Sequence, residues 1–142
     1  MSRMPTIKSA MRPFPFAVES HVELLEVRRL MAAESIRHLP VTAEGRLVGV
    51  VSARDLDRAA ARCGSAAARA LTAGEICSSP AYAVELDEPL DNVLLHMAEK
   101  RFGCALVVRG QRVVGIFTTT DACTLFAEHL RRDLPPRDDD AA

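Results

Sequence analysis

The sequence predicts an α+β domain, an α/β sandwich of two tandem β-α-β-β-α units packed sheet to sheet about a pseudo-twofold axis. Three observations predict it. The chain has 142 residues, 49% of them hydrophobic and 26% charged, which suits one soluble domain able to bury its own core. Displaced by 66 positions, residues 17–55 fall on residues 83–121 without a gap and with twelve identities, among them Leu24/Leu90, Val27/Val93, Met31/Met97, Gly49/Gly115 and Asp55/Asp121. Within each copy the apolar spacing changes from helical to strand-like in the same order, so each copy is one supersecondary unit.

The elements follow in turn. Phe16-Ala17-Val18 is a short apolar run after a proline and reads as an initial strand. Leu24, Val27 and Met31 recur at i, i+3 and i+7, one face of a helix, and Leu90, Val93 and Met97 repeat that stripe. Asp87 is the expected N-cap of the second helix, with Pro89 near its first turn. Leu39-Pro40-Val41, a turn at Ala43-Glu44-Gly45, and Leu47 to Val51 read as a hairpin. Residues 105–108, a turn at 109–111, and residues 113–117 repeat it. A second helix follows each hairpin. Its apolar face is Leu56, Ala59, Ala60 and Cys63 in one copy and Ala122, Leu125, Phe126 and Leu130 in the other. A three-stranded sheet with helices on one face leaves its other face uncovered, so two units are expected to close on each other. The expected boundaries are 1–62 for the first unit with its N-terminal segment, 63–72 for an alanine-rich helical linker, 73–132 for the second unit, and 133–142 for a disordered tail rich in Pro and Asp.

Composition excludes several functions. Eighteen basic against nineteen acidic side chains leave a formal charge of -1, which removes the usual electrostatic drive toward nucleic acid or anionic membrane. There is no apolar run of transmembrane length and no signal-type stretch at the N-terminus, so a cytoplasmic location is expected. Cys63, Cys77, Cys104 and Cys123 lack metal-ligand spacing and are expected as small buried hydrophobes. His21, His38, His96 and His129 are equally scattered. No nucleophile–base pair or phosphate-binding glycine loop is visible, so an enzyme is not expected.

The chemistry-bearing feature is the end of each hairpin. Gly49-Val50-Val51-Ser52-Ala53-Arg54-Asp55 and Gly115-Ile116-Phe117-Thr118-Thr119-Thr120-Asp121 share the pattern Gly, two apolar residues, Ser/Thr, two residues, Asp. The hydroxyl stands at a helix N-terminus beside free N–H groups, a place suited to phosphate. The aspartate one turn on can accept hydrogen bonds from both hydroxyls of a ribose. The strand glycine admits close approach of a ligand or another backbone. The same spacing is also that of a capping box, which many helices use for stability alone.

These residues, with Ile36-Arg37-His38-Leu39-Pro40-Val41 and Gly45 to Leu56, resemble a CBS domain pair, the Bateman module, and the resemblance runs from about Ile7 to Leu130. It implies regulatory binding of AMP, ADP, ATP or S-adenosylmethionine in clefts between the units, with no tightly held cofactor. It implies that Asp55 and Asp121 hold ribose and that Ser52 and Thr118 contact phosphate. It also implies that Phe16, Ala17 and Val18, or Tyr82, Ala83 and Val84, flank the adenine, and it brings Arg37 and His38 toward the phosphates. The copies differ: Arg37, His38 and Arg54 in the first stand where the second has Gly103, Cys104 and Thr120. Phosphate recognition wants cations, so the first cleft is expected to take the more charged ligand. A homodimer joined through helix faces is expected, read by a separate effector protein, since no effector region is evident within these residues. The alternative is a structural or oligomerisation module with no ligand.

Overall fold

The computed structural model of the chain describes residues 3–134 and 136–137. An N-terminal arm carries a 3-10 turn (Ile7–Ser9) and a short strand β1 (Arg12–Pro13). The first half runs β2 (Val18–Glu19), α1 (Leu24–Glu34), β3 (His38–Ala43), β4 (Arg46–Ser52) and α2 (Ala53–Cys63). Two one-turn helices, α3 (Ser65–Ala68) and α4 (Ala73–Ile76), lead to the second half. That half runs β5 (Ala83–Glu85), α5 (Leu90–Lys100), β6 (Cys104–Arg109), β7 (Arg112–Thr118) and α6 (Thr119–Asp133). Each half therefore has the expected β-α-β-β-α order. Residues 135 and 138–142 of the expected tail lie outside the described residues, and α6 continues as far as Asp133.

The sheets have the orders β2-β3-β4 and β1-β7-β6-β5. The β2/β3 and β5/β6 pairs are parallel, so each needs a crossover, which α1 and α5 supply. The hairpins β3/β4 and β6/β7 are antiparallel. The first turns on Glu44 and Gly45, both at positive φ, and in the second Gly110 alone has positive φ. These are the patterns of type I′ and II′ turns, whose twist matches the strands.

Alternation along the strands divides the apolar residues between two destinations. Leu39, Val41 and Val51 join Leu24, Val27, Met31 and Leu56 under the first pair of helices. Ala105, Val107 and Phe117 do the same with Leu90, Val93 and Met97. The opposite faces meet in a seam, where Leu47 and Val50 pack with Cys104, Leu106 and Ile116. The Leu47 N–H donates to the Gln111 carbonyl across it at 2.9 Å.

The halves also exchange arms. Residues 5–13 precede the first half in sequence but pack on the second. Ile7 is fully buried in the second core, and β1 pairs with β7. In the 66-residue register, residues 71–79 are the counterpart and pack on the first half. The hydrogen bonds repeat in pairs. Leu90 N–H donates to Pro5 O and Leu24 N–H to Leu71 O, both at 2.8 Å, while Ile7 N–H donates to Glu88 O and Ala73 N–H to Val22 O, also at 2.8 Å. This reciprocity is the pseudo-twofold axis expressed in backbone contacts. It explains Gly49 and Gly115. A Cβ on Gly49 would strike the Ser78 carbonyl oxygen and come within 2.8 Å of Cys77 Sγ, and one on Gly115 would strike Met11. Of the two roles read for the strand glycine, close approach of another chain segment is the one that this packing uses.

Three expectations are corrected. Asp87 does not cap α5: the helix begins after Pro89 with no side-chain cap, and the Leu90 N–H donates instead to the Pro5 carbonyl of the arm. Cys63 and Cys123 are exposed, although Cys104 is buried and Cys77 half-buried. Phe126 is 62% exposed and Leu130 is exposed, because only Ala122 and Leu125 of α6 reach the second core.

Candidate functional site

At the first junction β4 ends on Ser52, whose extended backbone makes it the N-cap of α2. The Ser52 N–H donates to Asp55 Oδ2 at 2.8 Å, and Ser52 Oγ accepts from the Asp55 N–H at 3.1 Å. The box consumes one carboxylate oxygen. Asp55 Oδ1 has no hydrogen-bond partner among the described residues and remains available. The Arg37 backbone is fixed at the start of α2, because its carbonyl accepts the Ala53 N–H at 2.8 Å. His38 lies across the ladder from Ser52. Its pKa is held below the ordinary imidazole value, first by burial and then by the Arg37 charge; Asp55 pulls it up and Arg54 pushes it down. The charges of Arg37, Arg54 and Asp55 therefore all act on that imidazole. The imidazole also crosses the seam, since a Cβ on Gly103 would lie 2.7 Å from His38 Nε2. A glycine at this position of the second copy thus makes room for the larger residue of the first.

The second junction repeats the box. Thr118 N–H and Oγ1–H donate to Asp121 Oδ2 at 2.9 and 3.0 Å, and Thr118 Oγ1 accepts from the Asp121 N–H at 3.2 Å. Here the other oxygen is also taken: Arg12 Nε donates to Asp121 Oδ1 at 2.9 Å. Arg12 arrives on the exchanged arm, in register opposite Ile116. Its counterpart in the first half is Ser78, which bridges Val50 and carries no charge. Cys104 occupies the position equivalent to His38, and burial pushes its thiol up to about 12.

The remaining residues divide. Arg37, Arg54, Thr120, Ala17 and Ala83 are exposed, and Phe16 is half-exposed. Val18 is buried in the first core, and Val84 packs against the second. Tyr82 stacks in an aromatic cluster with His96 and Phe102, at centroid distances of 4.4 and 5.6 Å. A separate open concavity of about 620 Å³ lies among Glu44, Gly45, Arg46, Arg109, Gln111 and Arg112 at the hairpin tips. It is at the far end of β4 and β7 from Ser52 and Thr118 and includes none of the junction residues. Sequence comparison between the copies missed Arg12, which lies upstream of the compared stretch. Extending the register upstream puts Thr6 on Thr72 and Arg12 on Ser78, and that extension was the available signal.

The exchanged arms, the paired capping boxes and the sheet-to-sheet seam define a tandem-repeat module with two related junction sites. The CBS domain family matches residues 7–62 and again 73–128, and the chain belongs to that family. Solved structures agree. The AcuB protein of Vibrio cholerae is 28% identical with a TM-score of 0.80, covering 94% of this chain and 100% of that one. The CBS domain pair of protein MJ0100, in complex with 5′-methylthioadenosine and S-adenosyl-L-methionine, is 28% identical with a TM-score of 0.81, covering 89% and 99%. Hypoxic Response Protein I, with two coordinated zinc ions, is 27% identical with a TM-score of 0.69, covering 92% and 99%. No curated protein matches the chain. Among the described residues no cluster of three or more His, Cys, Asp or Glu is placed to hold a metal. No helix among them is long and apolar enough to cross a membrane.

Proposed function

We propose that the protein is a regulatory module that binds an adenosine-containing ligand (AMP, ADP, ATP or S-adenosylmethionine) at the seam between its two CBS units. The carrying observation is the first junction. There Asp55, at a helix N-terminus, keeps one carboxylate oxygen without a partner among the described residues, and its charge and those of Arg37 and Arg54 act on His38. Asp55 Oδ1 accepts from ribose hydroxyls. The Ser52 hydroxyl donates to phosphate at the positive end of α2, whose Ala53 and Asp55 N–H groups are already engaged by the Arg37 carbonyl and Ser52 Oγ. Arg37 and Arg54 supply charge-assisted hydrogen bonds, and His38 gains a proton more readily once an anion is beside it. Ala17 and Ala83 offer small surfaces against which adenine fits. The adenosyl ligands of the MJ0100 pair support this chemistry.

Binding tightens the seam, and the change is read by a separate effector protein. Exposed Leu94 and Leu95 on α5 and Phe126 and Leu130 on α6 form the faces through which two copies join. The protein acts in the cytoplasm as a sensor, not as an enzyme.

A thermal-shift panel of AMP, ADP, ATP and S-adenosylmethionine tests the reading. Ligand at 100 times Kd stabilises by about 2.7 kcal/mol, roughly 5–10 °C for a chain of this size. One observation favours a purely structural module: both capping boxes are complete, and Asp121 is satisfied by Arg12. That reading requires no shift with any nucleotide.

A further inference from the structure

We infer that Arg12 is a latch on the second cleft, which admits an adenosyl ligand only when the ligand brings an anion to replace Asp121 as the partner of the guanidinium. The inference rests on the proposed nucleotide binding and concerns the second cleft alone. Asp121 is 10% exposed, and both of its oxygens are engaged, Oδ2 by Thr118 and Oδ1 by Arg12. A ribose that uses this carboxylate as Asp55 is used must first displace Arg12 from Oδ1. The Arg12 side chain is 69% exposed and has room to swing away without disturbing a core. Its backbone stays paired with β7 at Ile116, two residues before Thr118, so the released guanidinium remains beside the start of α6.

A neutral nucleoside breaks the ion pair and offers nothing in return. S-adenosylmethionine brings a carboxylate, but with it a sulfonium and an ammonium cation that repel a guanidinium. A nucleotide phosphate gives Arg12 a new charge-assisted partner. Both clefts therefore prefer anionic ligands, for opposite reasons. The first holds unpaired cations around an open carboxylate. The second holds Arg12 in an internal pair with Asp121. This revises the expectation that the second cleft, lacking Arg37, His38 and Arg54 equivalents, would take the less charged ligand.

The test isolates the second cleft with Asp55→Ala and compares AMP with adenosine by calorimetric titration, with and without Arg12→Gln. Arg12→Lys serves as a control that keeps the charge but not the fork. In the Asp55→Ala background AMP is expected to bind and adenosine to bind at least tenfold more weakly. Adding Arg12→Gln is expected to tighten adenosine by about two- to fivefold, the worth of an exposed ion pair, and to weaken AMP by about tenfold. Arg12→Lys should retain part of the preference. An AMP/adenosine ratio unchanged by Arg12→Gln, with binding intact, overturns the latch and leaves the nucleotide reading standing. Absence of binding by wild type as well overturns both. Amide signals of Thr118 to Asp121 that stay put while AMP binds Asp55→Ala also overturn the latch.

Discussion

The exchange of arms makes a quantitative prediction at Gly49. In Gly49→Ala the new methyl meets the Ser78 carbonyl oxygen, a backbone atom, and Cys77 Sγ at 2.8 Å. Ser78 cannot retreat alone, because it exchanges two hydrogen bonds with Val50, at 3.1 and 2.9 Å. Loss of that bridge costs about 1–3 kcal/mol at 0.5–1.5 each, and overpacking adds about 1–3. The reduced freedom of the unfolded chain returns about 0.4–1 kcal/mol. The expected net loss is about 1–5 kcal/mol, centred near 3, or roughly 12 °C in Tm at about 4 °C per kcal/mol. Gly115→Ala meets first the side chain of Met11, which has three rotatable bonds, so about 1 kcal/mol is expected there. Urea unfolding of the two variants measures the difference directly. Equal losses, or a larger loss at Gly115, would refute the reasoning, because they would mean that the crossing backbone is not what these glycines accommodate.

Other outcomes follow from the same structure. His38 has a lowered pKa in the folded protein, so above about pH 6.5 it is neutral in both states and contributes no pH dependence. On acidification below that value the unfolded chain takes up a proton that the folded chain resists, and stability is lost as pH falls toward the folded pKa. His38→Gln should flatten that part of the profile relative to wild type in denaturant titrations at pH 5 to 7; superimposable profiles would count against a buried imidazole. Iodoacetamide should modify exposed Cys63 and Cys123 first and spare Cys104, whose thiol is buried and held near 12, as peptide mass mapping would show. Phe126→Glu should leave the fold intact and give a monomer by light scattering where wild type is a dimer; a monomeric wild type would dispose of the helix-face interface.

Much of the fold was legible because duplication writes it twice. The helical stripes, the hairpins and the Ser/Thr-to-Asp junctions all lie where local periodicity puts them, and burial of Leu24, Val27 and Met31 follows from spacing alone. What was not legible was long-range. Nothing local in residues 5–13 says that they pack on the half that begins some seventy residues later, and that choice decides the cap of α5, the burial of Ile7 and the partner of Asp121. The Phe126 and Leu130 stripe is amphipathic in sequence, but periodicity cannot tell an intramolecular core from a surface left for another chain. At the candidate site the capping and ligand readings of Asp55 do not exclude each other. The box uses Oδ2, and the proposed function uses Oδ1.

The most direct measurement is a calorimetric titration of the native protein and of Asp55→Asn with AMP. The substitution keeps size and an acceptor oxygen but removes the charge and one ribose-accepting position. Saturable binding by wild type, weakened at least tenfold at its tighter site in Asp55→Asn while Tm without ligand falls only slightly, is the expected result. Full-strength AMP binding by the asparagine variant, or none by either protein, would contradict a sugar held by that carboxylate at the seam.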